Sequence, residues 1–587
     1  MRCKSLSWHS RSRVLHWAFI LQSVLVFLIS PSSPPIVAYA APPAFTSTPQ
    51  NRIFFWKVTS TTFAPDGVTR PVLLVNDKYP GPKIEVNRGD YITVVVENAL
   101  EVPTSFHWHG LTMRGDPWYD GVPGMNQCPI PPGANFTYAF GTDNMVGTHW
   151  WHAHFENQYI DGLVGAMIIR DPPETNPFLH AYDEERNVLL SDWYHQPTGP
   201  LLAQYLSPDS HGHEPVPNNG LINGKGTFNC SNVQPASLAC VPGERAVFHF
   251  ISNRRYRLRI INTSAASPFM FSIDDHQLQV IEADGTDLNP VMVDRLPINA
   301  GQRYSVIVTA NQDLKNYWMR AEMGTGCLPK NPSNLDPVIL GEVRYQGAGK
   351  VEPTTTGRFI PQPAVKGQEP IINPAFSEAC KDMDLYNLHP LQPVPILEPI
   401  TNSLLIRISF KRNPADDIVR GYMNDITYSG GNAWNPTIVQ NLNQSVEYEV
   451  DHHVMQIVKP GAIVQIVFDN SQGDEHPFHL HGHVFQVVAQ GVGFYEEGKT
   501  PVNAVNPLRR DTATVPRNGF TVIRFKADNP GVWALHCHIE WHVTIGLVMQ
   551  FVELPDQLRA MGIPDHVGNL CKTGPPKGFK PHTGFMP

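Results

Sequence analysis

Two stretches near opposite ends of the chain align without a gap, and this duplication constrains the fold more than any other feature. Gly147–Val164 reads GTHWWHAHFENQYIDGLV and Gly531–Val548 reads GVWALHCHIEWHVTIGLV. His152 falls on His536, His154 on His538, Glu156 on Glu540, and Gly162-Leu163-Val164 on Gly546-Leu547-Val548. Upstream, SFHWHG (Ser105–Gly110) falls on PFHLHG (Pro477–Gly482). Two domains therefore share one plan and flank a third segment of similar length. The copies also differ: His476, Cys537 and His542 of the second are Thr104, Ala153 and Gln158 in the first. The paired histidines and the cysteine-centred set must serve separate purposes.

The segments between these motifs read as strands. YITVVVEN, RYRLRIIN, RYSVIVTAN, AIVQIVFDN and FTVIRFKADN are rich in β-branched and aromatic residues, several alternate apolar with polar, and turn formers separate them. At 587 residues the chain is too long for one core. With 55 prolines and 17% charged residues it suits a rigid set of β-sandwiches. Pro353–Pro399 reads as a crossing linker. A formal charge of −9 and the lack of a basic stripe exclude a nucleic-acid partner.

The N-terminus has the pattern of a secretory signal: basic Arg2, Lys4, Arg11 and Arg13, an apolar Val14–Ile29, and the small-residue site Ala38–Ala40. The apolar run is too short for a bilayer span of about 20 residues, and no second run follows it, so no membrane anchor is expected. Sequons at Asn135, Asn229, Asn262 and Asn443 fit a glycosylated extracellular protein. With Cys3 in the signal and Cys537 reserved, Cys128, Cys230, Cys240, Cys327, Cys380 and Cys571 form an even set, which implies three disulfides of open pairing.

On a strand, each His-x-His sets two imidazoles on one face. The pairs His107/His109, His152/His154, His479/His481 and His536/His538, duplicated across two domains, would bring eight imidazoles to one place. That exceeds what one metal binds, so a cluster is implied. Cys537 must project to the face opposite its histidine neighbours, where His476 and His542 can join it. A His₂Cys set with a weak axial position is the ligand pattern of an electron-transferring copper. Zinc, the competing metal, draws on paired cysteines or on three ligands and a water, and needs no second cluster. Leu547 stands where an axial ligand would sit and cannot coordinate, which favours a higher redox potential than methionine would give. Cys537 links the two metal sites through its own backbone, so one-electron oxidation of a donor can be coupled to a multi-electron acceptor. Dioxygen, which takes four electrons to water, is the natural one.

The motifs HWHG, HWWHAH, HPFHLHGH and HCHIEWHVTIGL resemble those of the multicopper oxidases, laccases in particular, and the resemblance covers nearly the whole mature chain. It implies an all-β fold of three cupredoxin-like Greek-key β-sandwich domains: residues 41–172 after a signal peptide of residues 1–40, residues 173–350 without copper ligands, and residues 351–587 comprising linker, third domain and tail. It implies four copper ions, with His107 and His479 on type 2 copper and His109, His152, His154, His481, His536 and His538 on the type 3 pair. His476, Cys537 and His542 would hold type 1 copper with Leu547 axial, and the edge of His542 would meet the donor. Asp120 and Glu540 match acids that deliver protons near the cluster. The resemblance also proposes the pairs Cys128–Cys571, Cys327–Cys380 and Cys230–Cys240. His149 and His483 lie off the ligand register and read as hydrogen-bonding neighbours; His211, His213, His452 and His453 read as surface residues.

The donor is less constrained. The leading expectation is a secreted, monomeric laccase-like oxidase of phenols and aromatic amines; Asp192 of LSDWYH lies where laccases carry aspartate and iron-oxidising relatives glutamate, a carboxylate that could accept a phenolic hydrogen bond or guide Fe²⁺. Ferroxidase or mixed activity on Fe²⁺ is the alternative. Copper storage is a third reading, which the Cys537 bridge disfavours because storage needs no electron route.

Overall fold

The computed structural model describes residues 48–328, 335–357, 382–442, 446–471 and 473–579. Among the described residues, six sheets pair into three sandwiches, as the strand pattern predicts. The first joins a four-stranded sheet containing Asn51–Phe63 and Tyr91–Asn98 to another containing Phe106–His109 and Gly147–Ala153. The second and third each join a six-stranded to a five-stranded sheet. Tyr91–Asn98 illustrates the local cause: its valines and isoleucine are buried or half-buried on alternating faces, the burial that a period of two dictates.

All three sandwiches repeat one pairing scheme. The opening strand lies parallel to a later strand of its sheet: Asn51–Val58 beside Tyr91–Asn98, Glu184–Leu190 beside Tyr256–Asn262, and Asn402–Arg407 beside Val464–Asp469. The middle sandwich thus shares the plan, although it lacks the histidine motifs that reveal the plan at either end.

The motif strands are held between large buried side chains, Trp108, Trp150, Trp151 and Trp533 among them. Each HxHG ends on a glycine in the left-handed region, Gly110 at φ 92° and Gly482 at φ 71°. A Cβ on Gly110 would stand 2.4 Å from Arg303 Nη2, and one on Gly482 would stand 2.3 Å from the Trp533 ring. Both conformation and space therefore require glycine at these turns.

Cys128–Cys571 ties the first sandwich to the helix Asp565–Cys571, and Cys230–Cys240 closes a local loop, both as the resemblance proposes. Cys380 of the third pair lies outside the described residues, as do the signal segment and Asn443. Among the described residues, Cys537 is the free cysteine, and no helix is long and apolar enough to cross a membrane. Two sequons, Asn135 and Asn229, are exposed. Asn262 corrects the expectation of a glycan: it is fully buried, and its amide donates to the carbonyls of Ser267 (2.9 Å) and Ile298 (3.0 Å).

A buried ionic knot joins the first two sandwiches. Glu282 accepts from the Thr148 backbone N–H at 2.6 Å and from Arg257 Nη2 at 2.6 Å, with Arg259 Nη1 at 3.4 Å. Burial pushes its pKa up, but the two guanidinium groups outweigh that and lower it to about 2. Because the folded value lies below the unfolded one, the stabilisation is complete above about pH 4.3 and is lost as pH falls toward 2. Glu282→Gln should therefore destabilise the protein by about 3–5 kcal/mol near pH 7, the usual effect of breaking a buried pair from one side. Denaturant unfolding should show that difference narrowing below pH 4.

Candidate metal centre

Strand register brings the histidines together. In the first sandwich His107 lies opposite His152 on antiparallel strands; in the third, His479 lies opposite His536. Phe106 faces Ala153 where, in the other copy, Phe478 faces Cys537. The two motif pairs meet across the seam between the sandwiches, with the rings of His109 and His479 stacked at 3.8 Å and those of His107 and His481 tilted against each other at 3.9 Å. Three sets have donor atoms within 4.8 Å of one another: His107, His109 and His479; His109, His152 and His538; His154, His481 and His536. All eight imidazoles expected from sequence are there.

The orientation of these rings tests whether a metal fits. His481 Nδ1 donates to Asp120 Oδ2 at 2.8 Å, and His536 Nδ1 donates to the Cys537 carbonyl at 2.9 Å. Each Nε2 is then a lone pair, and the two lie 3.0 Å apart. Two lone pairs at that distance repel unless a cation lies between them. His107, His152 and His479 likewise donate through Nδ1 to the carbonyls of Asp120, Ala153 and Asp511, which leaves each Nε2 buried with no partner among the described residues. Burial first, then repulsion between neighbouring imidazoles, keeps His152, His154, His481 and His538 well below the usual histidine range. His536 falls to about 3 for the same reasons. Neutral, inward-facing nitrogen donors in a water-poor seam suit a transition-metal cluster.

On the opposite face of the same strand, Cys537 Sγ lies 3.3 Å from His542 Nδ1 and 3.8 Å from His476 Nδ1, and the two nitrogens are 3.2 Å apart. Phe410 covers both rings. Leu547 is fully buried and tied to this turn by its N–H to the His542 carbonyl (3.0 Å), while its own carbonyl accepts from the Cys537 N–H (3.2 Å). Burial disfavours charge on His542, but Glu214 and Cys537 raise its pKa to about 10, so the surroundings call for positive charge at this point. In the first sandwich the matching positions hold a Thr104–Gln158 hydrogen bond of 2.8 Å and a buried Ala153.

Asp120 and Glu540 both lie beside the cluster. Asp120 meets His481 through its carboxylate and His107 through its carbonyl. Glu540 lines a cavity with His154, His536, Glu156 and Tyr428, and burial raises its pKa to about 8. His149 and His483 are hydrogen-bonding neighbours, His149 to the Val146 carbonyl and His483 to Glu553.

Asp192 corrects the reading from sequence. It is buried, and its carboxylate accepts from the backbone N–H groups of Ala265 (2.8 Å), Ala266 (3.0 Å) and Ser267 (3.1 Å), which fix a turn and leave it no role in meeting a donor. The acid at the outer edge of His542 is Glu214, which accepts from His542 Nε2. It lines a cleft with Tyr194, Gln204, Tyr205, His213 and Gln234. Sequence carries no signal for this, since Glu214 sits in an irregular Pro-rich loop 328 positions from its partner. Asp511, whose side chain lies 3.1 Å from His109 Nε2, also escaped the sequence reading.

Three multicopper oxidase family models match the chain, over residues 57–174, 184–348 and 421–557. Laccase-1 of Cryptococcus neoformans var. grubii is 35% identical over 91% of this chain and 85% of its own length. Laccase-4 of Thanatephorus cucumeris is 37% identical over 86% of this chain and 90% of its own. Among solved structures, the laccase from Botrytis aclada superposes with a TM-score of 0.81 at 33% identity, covering 92% of this chain and 96% of that one. Fet3p, described as a multicopper oxidase that functions in iron import, superposes at 0.77 and 29% identity, covering 89% and 95%.

The depressed histidines make the metal-free protein acid-sensitive. Unfolded imidazoles take up protons below about pH 6.5 while the buried ones do not, so the unfolded state binds more protons and stability falls as pH drops. Apo-protein should lose thermal stability steeply from pH 7 to pH 5 in scanning calorimetry, and replacing His152 and His536 by glutamine should flatten that slope.

Proposed function

The chain belongs to the multicopper oxidase family and is a laccase-type oxidoreductase; on that premise we propose that it is an extracellular, monomeric enzyme oxidising phenols and aromatic amines with four copper ions. His476, Cys537 and His542 would hold one copper, with Leu547 as a non-coordinating neighbour. His107 and His479 would hold a second. The sets His109/His152/His538 and His154/His481/His536 would hold the remaining two. We take the three domains as residues 41–172, 173–350 and 351–587. Bound copper would supply one-electron oxidation at the sulfur site and reduction of dioxygen to water at the cluster.

The residues themselves do the positioning and proton handling. Glu214 stands beside His542 at the cleft and can accept the proton that a phenol loses as it is oxidised. The peptide of Cys537 runs directly into His536 and His538, so the two sites share a covalent connection. Asp120 orients two cluster imidazoles. Glu540, with a pKa near 8, can hold and release protons along its cavity at neutral pH.

The observation that carries this reading is the pairing of a complete His₂Cys set with eight inward-facing imidazoles reached through Cys537. Glu214 favours Fe²⁺ oxidation as a second reading, because a carboxylate at the exposed edge of His542 suits a cation as well as a phenol.

Purified holoprotein should be intensely blue and should take up oxygen with 2,6-dimethoxyphenol. Glu214→Gln should lower kcat/KM for the phenol roughly 100-fold, the scale of a lost general base, with the blue colour intact. A catalytic preference for Fe²⁺ that disappears in Glu214→Gln would replace the phenol reading by the iron one. Copper-loaded protein that consumes no oxygen with any donor would replace both by storage.

A further inference from the structure

The middle sandwich contributes none of the clustered histidines, yet one of its side chains reaches them through a single intermediary. Arg303 opens the strand Arg303–Thr309 and is fully buried. Its Nη1 and Nη2 donate to Asp511 Oδ1 and Oδ2, each at 2.6 Å, and its Nε donates to the Thr148 carbonyl at 3.0 Å. One guanidinium thus binds all three sandwiches at once, since Thr148 belongs to the first and Asp511 to the third.

Asp511 is the partner of two cluster imidazoles. Its Oδ1 accepts from His109 Nε2 at 3.1 Å, and its carbonyl accepts from His479 Nδ1 at 2.9 Å. Thr512 adds a hydroxyl that donates to Asp511 Oδ1 at 2.9 Å and lies 3.2 Å from each of the same ring nitrogens. His109 is turned differently from its neighbours. His107, His152, His479, His481 and His536 engage protein acceptors through Nδ1 and present Nε2 inward. His109 engages Asp511 through Nε2 and presents Nδ1, 3.3 Å from His538 Nε2. The carboxylate of Asp511 decides which nitrogen of His109 faces the site.

We propose that Arg303 is a positioning residue for the copper cluster: its two-point grip on Asp511 sets the ring orientation of His109 and the seat of His479. The proposal rests on the copper reading above. A guanidinium fork fixes both the rotation and the plane of a carboxylate, whereas a lysine ammonium makes a point contact and fixes neither. Asp511 without its clamp can rotate, and His109 can then adopt the other tautomer or flip. Partners of this kind weaken metal binding about 10- to 100-fold when lost.

The test uses the full-length holoprotein as wild type, Arg303→Met, Arg303→Lys and Arg257→Met. The last breaks a buried arginine pair in the same sandwich that touches none of the clustered imidazoles. Copper per chain, the blue absorption, and the electron paramagnetic resonance signal of the non-blue cupric ion are measured before and after challenge with a copper chelator. In Arg303→Met the non-blue signal should change, and about 10- to 100-fold less chelator should remove that copper, while the blue absorption persists. Arg303→Lys should fall between Arg303→Met and wild type, and decides the matter if Arg303→Met does not fold. Arg257→Met should lose stability with an unaltered signal. Unaltered non-blue copper in both Arg303 variants would overturn the assignment, as would blue and non-blue copper declining together in step with lost folded protein. A wild type without blue colour would instead overturn the copper reading itself.

Discussion

The arrangement of this molecule follows from the need to hold nitrogen lone pairs against one another in a buried seam. Left alone, such donors would turn away, take up protons or admit water. Backbone carbonyls and two aspartates prevent this by occupying the outward nitrogen of six of the eight rings, so that the inward nitrogen has no choice of role. The sandwiches supply the rigidity: a His-x-His on a strand fixes the spacing of two rings, and antiparallel register fixes which rings oppose each other. The fold is thereby a means of keeping imidazoles uncharged and aimed.

The same constraint explains what could be read from the amino-acid order and what could not. Ligands at strand spacing carry a signal because a period of two is enforced by the backbone, so the eight clustered histidines and His476, Cys537 and His542 were all legible. Their supports were not. Asp511 follows two arginines in an unremarkable segment, and Arg303 belongs to a domain without histidine motifs; their roles arise only when three sandwiches pack together. Asp192 misled for a related reason. The family resemblance puts a carboxylate of interest at this position, but in the fold three consecutive backbone N–H groups need an acceptor and consume it. Glu214 lies in a loop, where no periodicity links position in sequence to position in space.

The two acids that flank the machinery stand in contrasting surroundings. Glu214 lines an open cleft beside His542, where it can meet what arrives from solution. Glu540 lies in a narrow cavity beside the cluster, and burial raises its pKa to about 8, so it is mostly protonated at neutral pH. On the proposed reading, donor chemistry and water formation would be served by separate groups, Glu214 beside His542 and Glu540 beside the cluster.

The first sandwich keeps the socket of a sulfur-ligated centre but fills it with an alanine and a threonine–glutamine clasp. An ancestral duplication has therefore been made lopsided, and the molecule has a single gate for incoming charge. On the proposed reading, electrons from every donor would pass through the one sulfur, Cys537, before reaching the clustered imidazoles.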